Sequence, residues 1–176
     1  GMGIVSSIGN NTQEVLASLH EARSGISFAP SQAEHGFRSH VAGAPTLDPA
    51  EVVDRRAMRF HGGGTAWNHV AMDQAIRDAG LEEREISNER TGIIMGSGGP
   101  STRTIVDSAQ KALASGSSKK VGPLAVPKAM SSSPSATLST SFKIKGVNYS
   151  ISSACATSHH GIGNAYEMSQ YGKQDR

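Results

Sequence analysis

A chain of 176 residues with 36% hydrophobic and 18% charged content has the make-up of one domain with a real core, not of a disordered or fibrous segment. Its 17 basic residues are scattered among 15 acidic ones for a net charge of +2, which lacks the concentrated positive footprint of a nucleic-acid binder. No apolar run approaches the roughly 20 residues that cross a membrane, no charged leader with an apolar core argues for secretion, and the single cysteine excludes an internal disulfide.

With no CxxC pair, no HExxH run and irregularly spaced histidines, no metal set is expected, and a reducing cytoplasm is the natural setting. Residues 1–5 read as the tail of a strand, followed by a polar turn over 6–11. The start lacks an initiating methionine, so the first element is expected to be cut short. Asn11 as N-cap with Glu14 three residues on predicts a helix that buries Val15, Leu16 and Leu19 on one face and closes at Gly25 in the C′ position. From 26 to 47 the Gly, Pro, Ser and His content predicts loops with one short strand near 39–42.

Asp48-Pro49 is a cap with proline at N1, opening a short basic helix over 51–60 that carries Arg55, Arg56 and Arg59; on charge pattern alone this is a solvated face. Gly62-Gly63-Gly64 breaks the chain, and an amphipathic helix over 65–79 follows, with Met72, Ala75, Ile76 and Ala79 inward and Gly80 as its stop. Residues 91–96 read as a buried strand, and Ser97-Gly98-Gly99-Pro100 leads into a helix with Ile105, Val106, Ala109 and Leu113. Alternation of strand and helix indicates a layered α/β fold. The glycine loop could cradle phosphate, yet Ser101 stands where G-x-G-x-x-G needs its last glycine and no P-loop pattern occurs, so close packing is the better reason for these glycines. A polar connection over 115–122 with Lys119 and Lys120, a loop holding Ser131-Ser132-Ser133 and a short helix over 135–142 precede the turn at Lys145-Gly146 and a last strand.

That strand ends in small residues around Cys155, and a helical pattern follows, so the cysteine is expected on a sharp strand-to-helix turn. A thiol reacts as its thiolate, which unpaired N–H groups at a helix start favour, and the N–H of such a turn can also meet a developing oxyanion. The alternative is a buried, inert cysteine. His159, four residues on, would share the face of Cys155 and could form a local Cys-His pair, although a side chain there stays beside the helix and not above the nucleophile.

The stretches 1–10, Asp54-Arg55-Arg56 to Arg59-Phe60, Gly96-Ser97-Gly98-Gly99, Val121-Gly122-Pro123, Pro127-Lys128-Ala129-Met130, Phe142-Lys143-Ile144 and above all 147–158 resemble the β-ketoacyl-acyl-carrier-protein synthases, among them the type I condensing enzymes of bacterial fatty-acid synthesis. The resemblance implies the thiolase-like layered α/β fold of two βαβαβαββ halves in a homodimer, with residues 1–176 as an N-terminal half cut at both ends. It implies that Cys155 carries the acyl chain as a thioester, that its N–H is half of the oxyanion hole, and that decarboxylated malonyl-carrier protein attacks that thioester. Gly99 and Met130 match acyl-pocket positions, Met130 across the dimer interface, while Arg56, Arg59 and Lys119 match the basic patch for acyl carrier protein. No bound cofactor is implied, since phosphopantetheine arrives on the carrier. The family's catalytic histidines, lysine and second oxyanion loop belong to the other half, so this chain alone is expected to be inactive in condensation and poorly soluble. His159 stands where the family has a small residue, which predicts crowding on a tightly packed helix. Two further readings remain open: a thioester hydrolase or acyltransferase using Cys155 with His159, and a non-catalytic carrier-protein or phosphate-binding module.

Overall fold

A computed structural model describes all residues, Gly1–Arg176. In chain order the elements are α1 (Thr12–His20), β1 (Ile26–Phe28), α2 (Pro30–Glu34), β2 (Val41–Gly43), α3 (Arg55–Met58), α4 (Gly63–Asp78), α5 (Glu83–Ile86), β3 (Ile93–Ile94), α6 (Thr102–Ser115), α7 (Ala125–Ala129), α8 (Ser133–Ser141), β4 (Asn148–Tyr149) and α9 (Thr157–Gln170), with short 3-10 turns between some of them. The chain forms two compact units, Gly1–Val52 with Val70–Gly80, and Val53–His69 with Leu81–Arg176.

In the first unit α1 starts as its cap pattern predicts. Asn11 Oδ1 accepts from the Glu14 N–H at 2.9 Å, and the Glu14 carboxylate accepts from the Asn10 N–H at 2.8 Å. Its end differs from expectation, because the left-handed residue is Ala22 at φ +50° and not Gly25. The Arg23 N–H donates to the Ser18 carbonyl at 2.8 Å and the Ala22 N–H to the Leu19 carbonyl at 3.2 Å, which completes a Schellman closure three residues before the glycine. Gly25 backs onto Ser7 too closely for any side chain. The inward face also differs: Leu16 and Leu19 are 56% and 65% exposed, whereas Ser18 is buried and donates its hydroxyl to the Ile8 carbonyl at 2.6 Å.

Two strands, not one, follow α1, since β1 pairs antiparallel with β2 from Ile26 opposite Gly43 to Phe28 opposite Val41. Residues 1–5 lie along the second part of α4 without a strand partner. The N–H of Met2 donates to Asp78 at 2.8 Å and that of Ile4 to Gln74 at 3.0 Å, so helix side chains satisfy groups that a ladder would otherwise take.

Where the chain passes from the first unit into the second, the basic helix expected over 51–60 is interrupted. A 3-10 turn covers Pro49–Glu51, Val53 is buried, and the Asp54 carboxylate accepts from the Arg56 N–H at 2.8 Å to cap a new start for α3. The next helix, α4, begins inside the glycine run and not after it. Strands β3 and β4 pair in parallel, Ile93 with Asn148 and Ile94 with Tyr149, and the crossover between them carries α6, α7 and α8. This is the α/β connection that the alternation predicts.

The core here is small-residue packing around one leucine. Leu138 on α8 is 0% exposed and Ser133 1%. Thr65 on α4 donates to the Ser133 hydroxyl at 3.2 Å, Asn148 on β4 donates to Ser139 at 2.8 Å, and the Ser135 and Ser150 hydroxyls share a hydrogen bond. The serine run thus allows close approach of α8 to α4 and β4 while its hydroxyls stay bonded. Buried Gln174 extends the same arrangement, accepting from the Val147 N–H at 3.2 Å, beside the Gly92 N–H that donates to the Arg176 carbonyl at 3.0 Å.

Candidate active site

After β4 the chain runs through residues 150–153 into a 3-10 turn, Ala154–Ala156, and then directly into α9. Cys155 occupies the middle of that turn and is exposed in this chain. Ala154, just before it, has φ +47°. A left-handed alanine costs about 1 kcal/mol, so the surroundings must hold it. Thr157, only 5% exposed, does so: its Oγ1 accepts from the Ser153 N–H at 2.9 Å and donates to the Ala154 carbonyl at 2.8 Å. The Cys155 N–H makes no hydrogen bond to the rest of the backbone, so thiol and N–H are both available on one turn at the start of a fourteen-residue helix.

The glycine loop after β3 braces this turn. Any Cβ at Gly96 would collide with the Ile151 carbonyl, and one at Gly98 would lie 2.8 Å from the Ala154 carbonyl. Ser152 donates to the Ser97 carbonyl at 3.0 Å. These glycines serve backbone contact with the cysteine turn, in line with the packing reading over the phosphate one. Neither imidazole reaches the thiol. His160 Nδ1 lies 2.9 Å from the Ser153 hydroxyl, and His159 is exposed in this chain on an unbroken α9.

Gly99 and Met130 line one cavity of about 600 Å³ within the second unit, together with His61, Ser101 and Lys128. Cys155 is not in its wall. Arg56, Arg59 and Lys119 are exposed, and none takes part in an ion pair.

Sequence reasoning missed a histidine pair in which His61 is buried at the cavity wall and His69 is half-buried behind it. His61 Nε2 lies 2.9 Å from His69 Nδ1, and the His69 ring packs on Phe142 with centroids 4.8 Å apart. Burial, then the neighbouring His69 and Lys128, push the His61 imidazole down to about 4. The sequence carried no signal for it, since His61 precedes α4 while His69 lies on it.

A family model described as the N-terminal domain of β-ketoacyl synthase matches residues 1–176. The chain is 54% identical over 176 residues to 3-oxoacyl-[acyl-carrier-protein] synthase 1 of Escherichia coli strain K12, covering 99% of this chain and 43% of that protein. It is 50% identical over 175 residues to the synthase 1 of Haemophilus influenzae, with the same coverage of 99% and 43%. Among solved structures, a β-ketoacyl synthase from Burkholderia phymatum superimposes with a TM-score of 0.82 at 28% identity, over 99% of this chain and 43% of that one. The chain therefore spans less than half the length of the curated relatives it matches.

Proposed function

Because the chain belongs to the β-ketoacyl synthase family, as its N-terminal domain, we propose that it is the nucleophile-bearing half of a 3-oxoacyl-acyl-carrier-protein synthase acting in fatty-acid elongation. The observation that carries this reading is the exposed Cys155 on a strained, braced turn with its own N–H unbonded.

In this reading the Cys155 thiolate attacks the thioester carbonyl of an acyl chain on carrier protein. The tetrahedral oxyanion takes the free Cys155 N–H, and collapse expels the phosphopantetheine thiolate, which is reprotonated. Malonyl-carrier protein then loses carbon dioxide, and the electron pair left on its α-carbon attacks the acyl carbon and releases the Cys155 thiolate. Phosphopantetheine is substrate-borne, and the chain itself is proposed to need no cofactor. The histidines and lysine for decarboxylation are assigned to the second half of the protein.

Gly99 and Met130, which line one cavity, are proposed to contact the acyl chain. Arg56, Arg59 and Lys119 are proposed to meet the acidic carrier protein, which unpaired exposed cations favour. A homodimer and a cytoplasmic setting complete the reading. The local Cys155-His159 hydrolase gains no support, since neither His159 nor His160 hydrogen-bonds the thiol.

The test is condensation by the full-length protein. Acyl- and malonyl-carrier protein should give a 3-oxoacyl product with the parent and none with Cys155→Ala; product formation undiminished by Cys155→Ala overturns the reading.

A further inference from the structure

Two residues after Cys155, Thr157 places one buried hydroxyl against the turn that presents the thiol. Thr157 is buried beneath an otherwise exposed segment, from Ala154 to Ala156 and again from Ser158 to His160. A threonine hydroxyl has one donor and two acceptor sites, and here the donor goes to the Ala154 carbonyl while an acceptor takes the Ser153 N–H. These two groups flank the left-handed Ala154 on either side. The Ala156 N–H also closes on the Ser153 carbonyl at 3.0 Å, so the hydroxyl and the backbone together pin both ends of the turn. No side chain caps α9 at Ala156, and the one other side-chain tie across the turn, His160 Nδ1 to the Ser153 hydroxyl at 2.9 Å, leaves the backbone groups on either side of Ala154 to Thr157.

We propose that Thr157 is the positioning residue of the Cys155 turn: its hydroxyl holds Ala154 at positive φ, and this keeps the thiol exposed and the Cys155 N–H free at the start of α9. The geometric part stands without the synthase reading; only its consequence for acyl transfer rests on that reading. The mechanism makes a specific demand. A residue that needs no help to adopt positive φ should remove the need for the hydroxyl, and glycine is that residue.

The test uses the full-length protein with Thr157→Val, Thr157→Ser, Ala154→Gly combined with Thr157→Val, and Thr91→Val. Thr91 is a buried threonine whose hydroxyl donates to the Glu85 carbonyl at 2.6 Å, so it controls for the loss of a buried hydroxyl away from the turn. The first readout is the rate at which iodoacetamide alkylates Cys155 at neutral pH, and the second is kcat and KM for acyl transfer from carrier protein. Thr157→Val should slow alkylation about tenfold and lower kcat with little change in KM. Thr157→Ser and the Ala154→Gly double variant should restore most of the rate, and Thr91→Val should lose thermal stability with an unchanged alkylation rate. If Thr157→Val alone does not fold, the double variant and Thr157→Ser decide.

The proposal is overturned if Thr157→Val alkylates at the parent rate, if Ala154→Gly gives no recovery, or if Thr91→Val slows Cys155 equally. Alkylation needs no thioester or carrier protein. A parent that alkylates normally but accepts no acyl group would contradict the synthase reading and leave the Thr157 result to stand by itself.

Discussion

At the scale of single residues, the buried His61 imidazole ties stability to pH. Its folded-state value lies near 4, below the 6.5 of an unfolded histidine, so between these limits the unfolded chain binds a proton that the folded chain refuses. His61 therefore contributes stability that is fully present above about pH 6.5 and lost as pH falls toward 4, at most about 3 kcal/mol. Urea midpoints across that window should fall in the parent and fall less in His61→Phe; identical pH profiles would contradict the burial argument. Leu138, fully buried on α8, is the other sensitive position. Leu138→Ala should cost about 2 to 5 kcal/mol in denaturant unfolding. This part of the core was hard to see in advance, because the sequence signal for a core is apolar periodicity, whereas Ser133, Ser135 and Ser139 are buried through hydrogen bonds.

At the scale of elements, the start of α1 and the stop of α4 at Gly80 were legible, whereas the starts of α3 and α4 and the end of α1 were not. Asn11, Asp54 and Ser101 cap α1, α3 and α6 through side-chain oxygens whose chemistry is visible in the residue type. The ends rest on backbone closure that residue type only biases. Ala22 and Lys143, at φ +50° and +54°, take the left-handed position after α1 and α8 where glycine would be expected. After α8 the Ile144 N–H donates to the Ser139 carbonyl at 2.9 Å and the Lys143 N–H to the Thr140 carbonyl at 3.3 Å, the same closure as in α1. Ala22→Gly and Lys143→Gly should each raise stability by about 0.5 to 1 kcal/mol, read as a higher thermal midpoint. The exposed Lys143–Glu83 ion pair lost in the second variant should matter little. The strand-to-helix turn at Cys155 was legible because small residues and a change of period surround it. Its fastening by Thr157 was not, because a threonine after a cysteine has no distinctive pattern.

At the scale of the whole molecule, the family was readable from short motifs spread over the chain, and the fold class followed from it. Composition and periodicity alone reached only a layered α/β domain with a reactive thiol. Leu113, Ile162 and Tyr166 leave large apolar side chains on the surface of the second unit in this chain. The proposed carrier-protein recognition belongs to this scale as well. Changing Arg56, Arg59 and Lys119 together to Glu in the full-length protein should weaken carrier binding by about tenfold or more at low salt and flatten its salt dependence, and unchanged affinity would remove these cations from the interface. The most direct measurement is the mass of the peptide carrying Cys155 after the full-length protein meets acyl-carrier protein without malonyl donor. A gain equal to the acyl group on that peptide, absent in Cys155→Ala, is the predicted result; an unmodified peptide, or acyl groups attached elsewhere, would contradict the role of Cys155 as the acyl-bearing nucleophile.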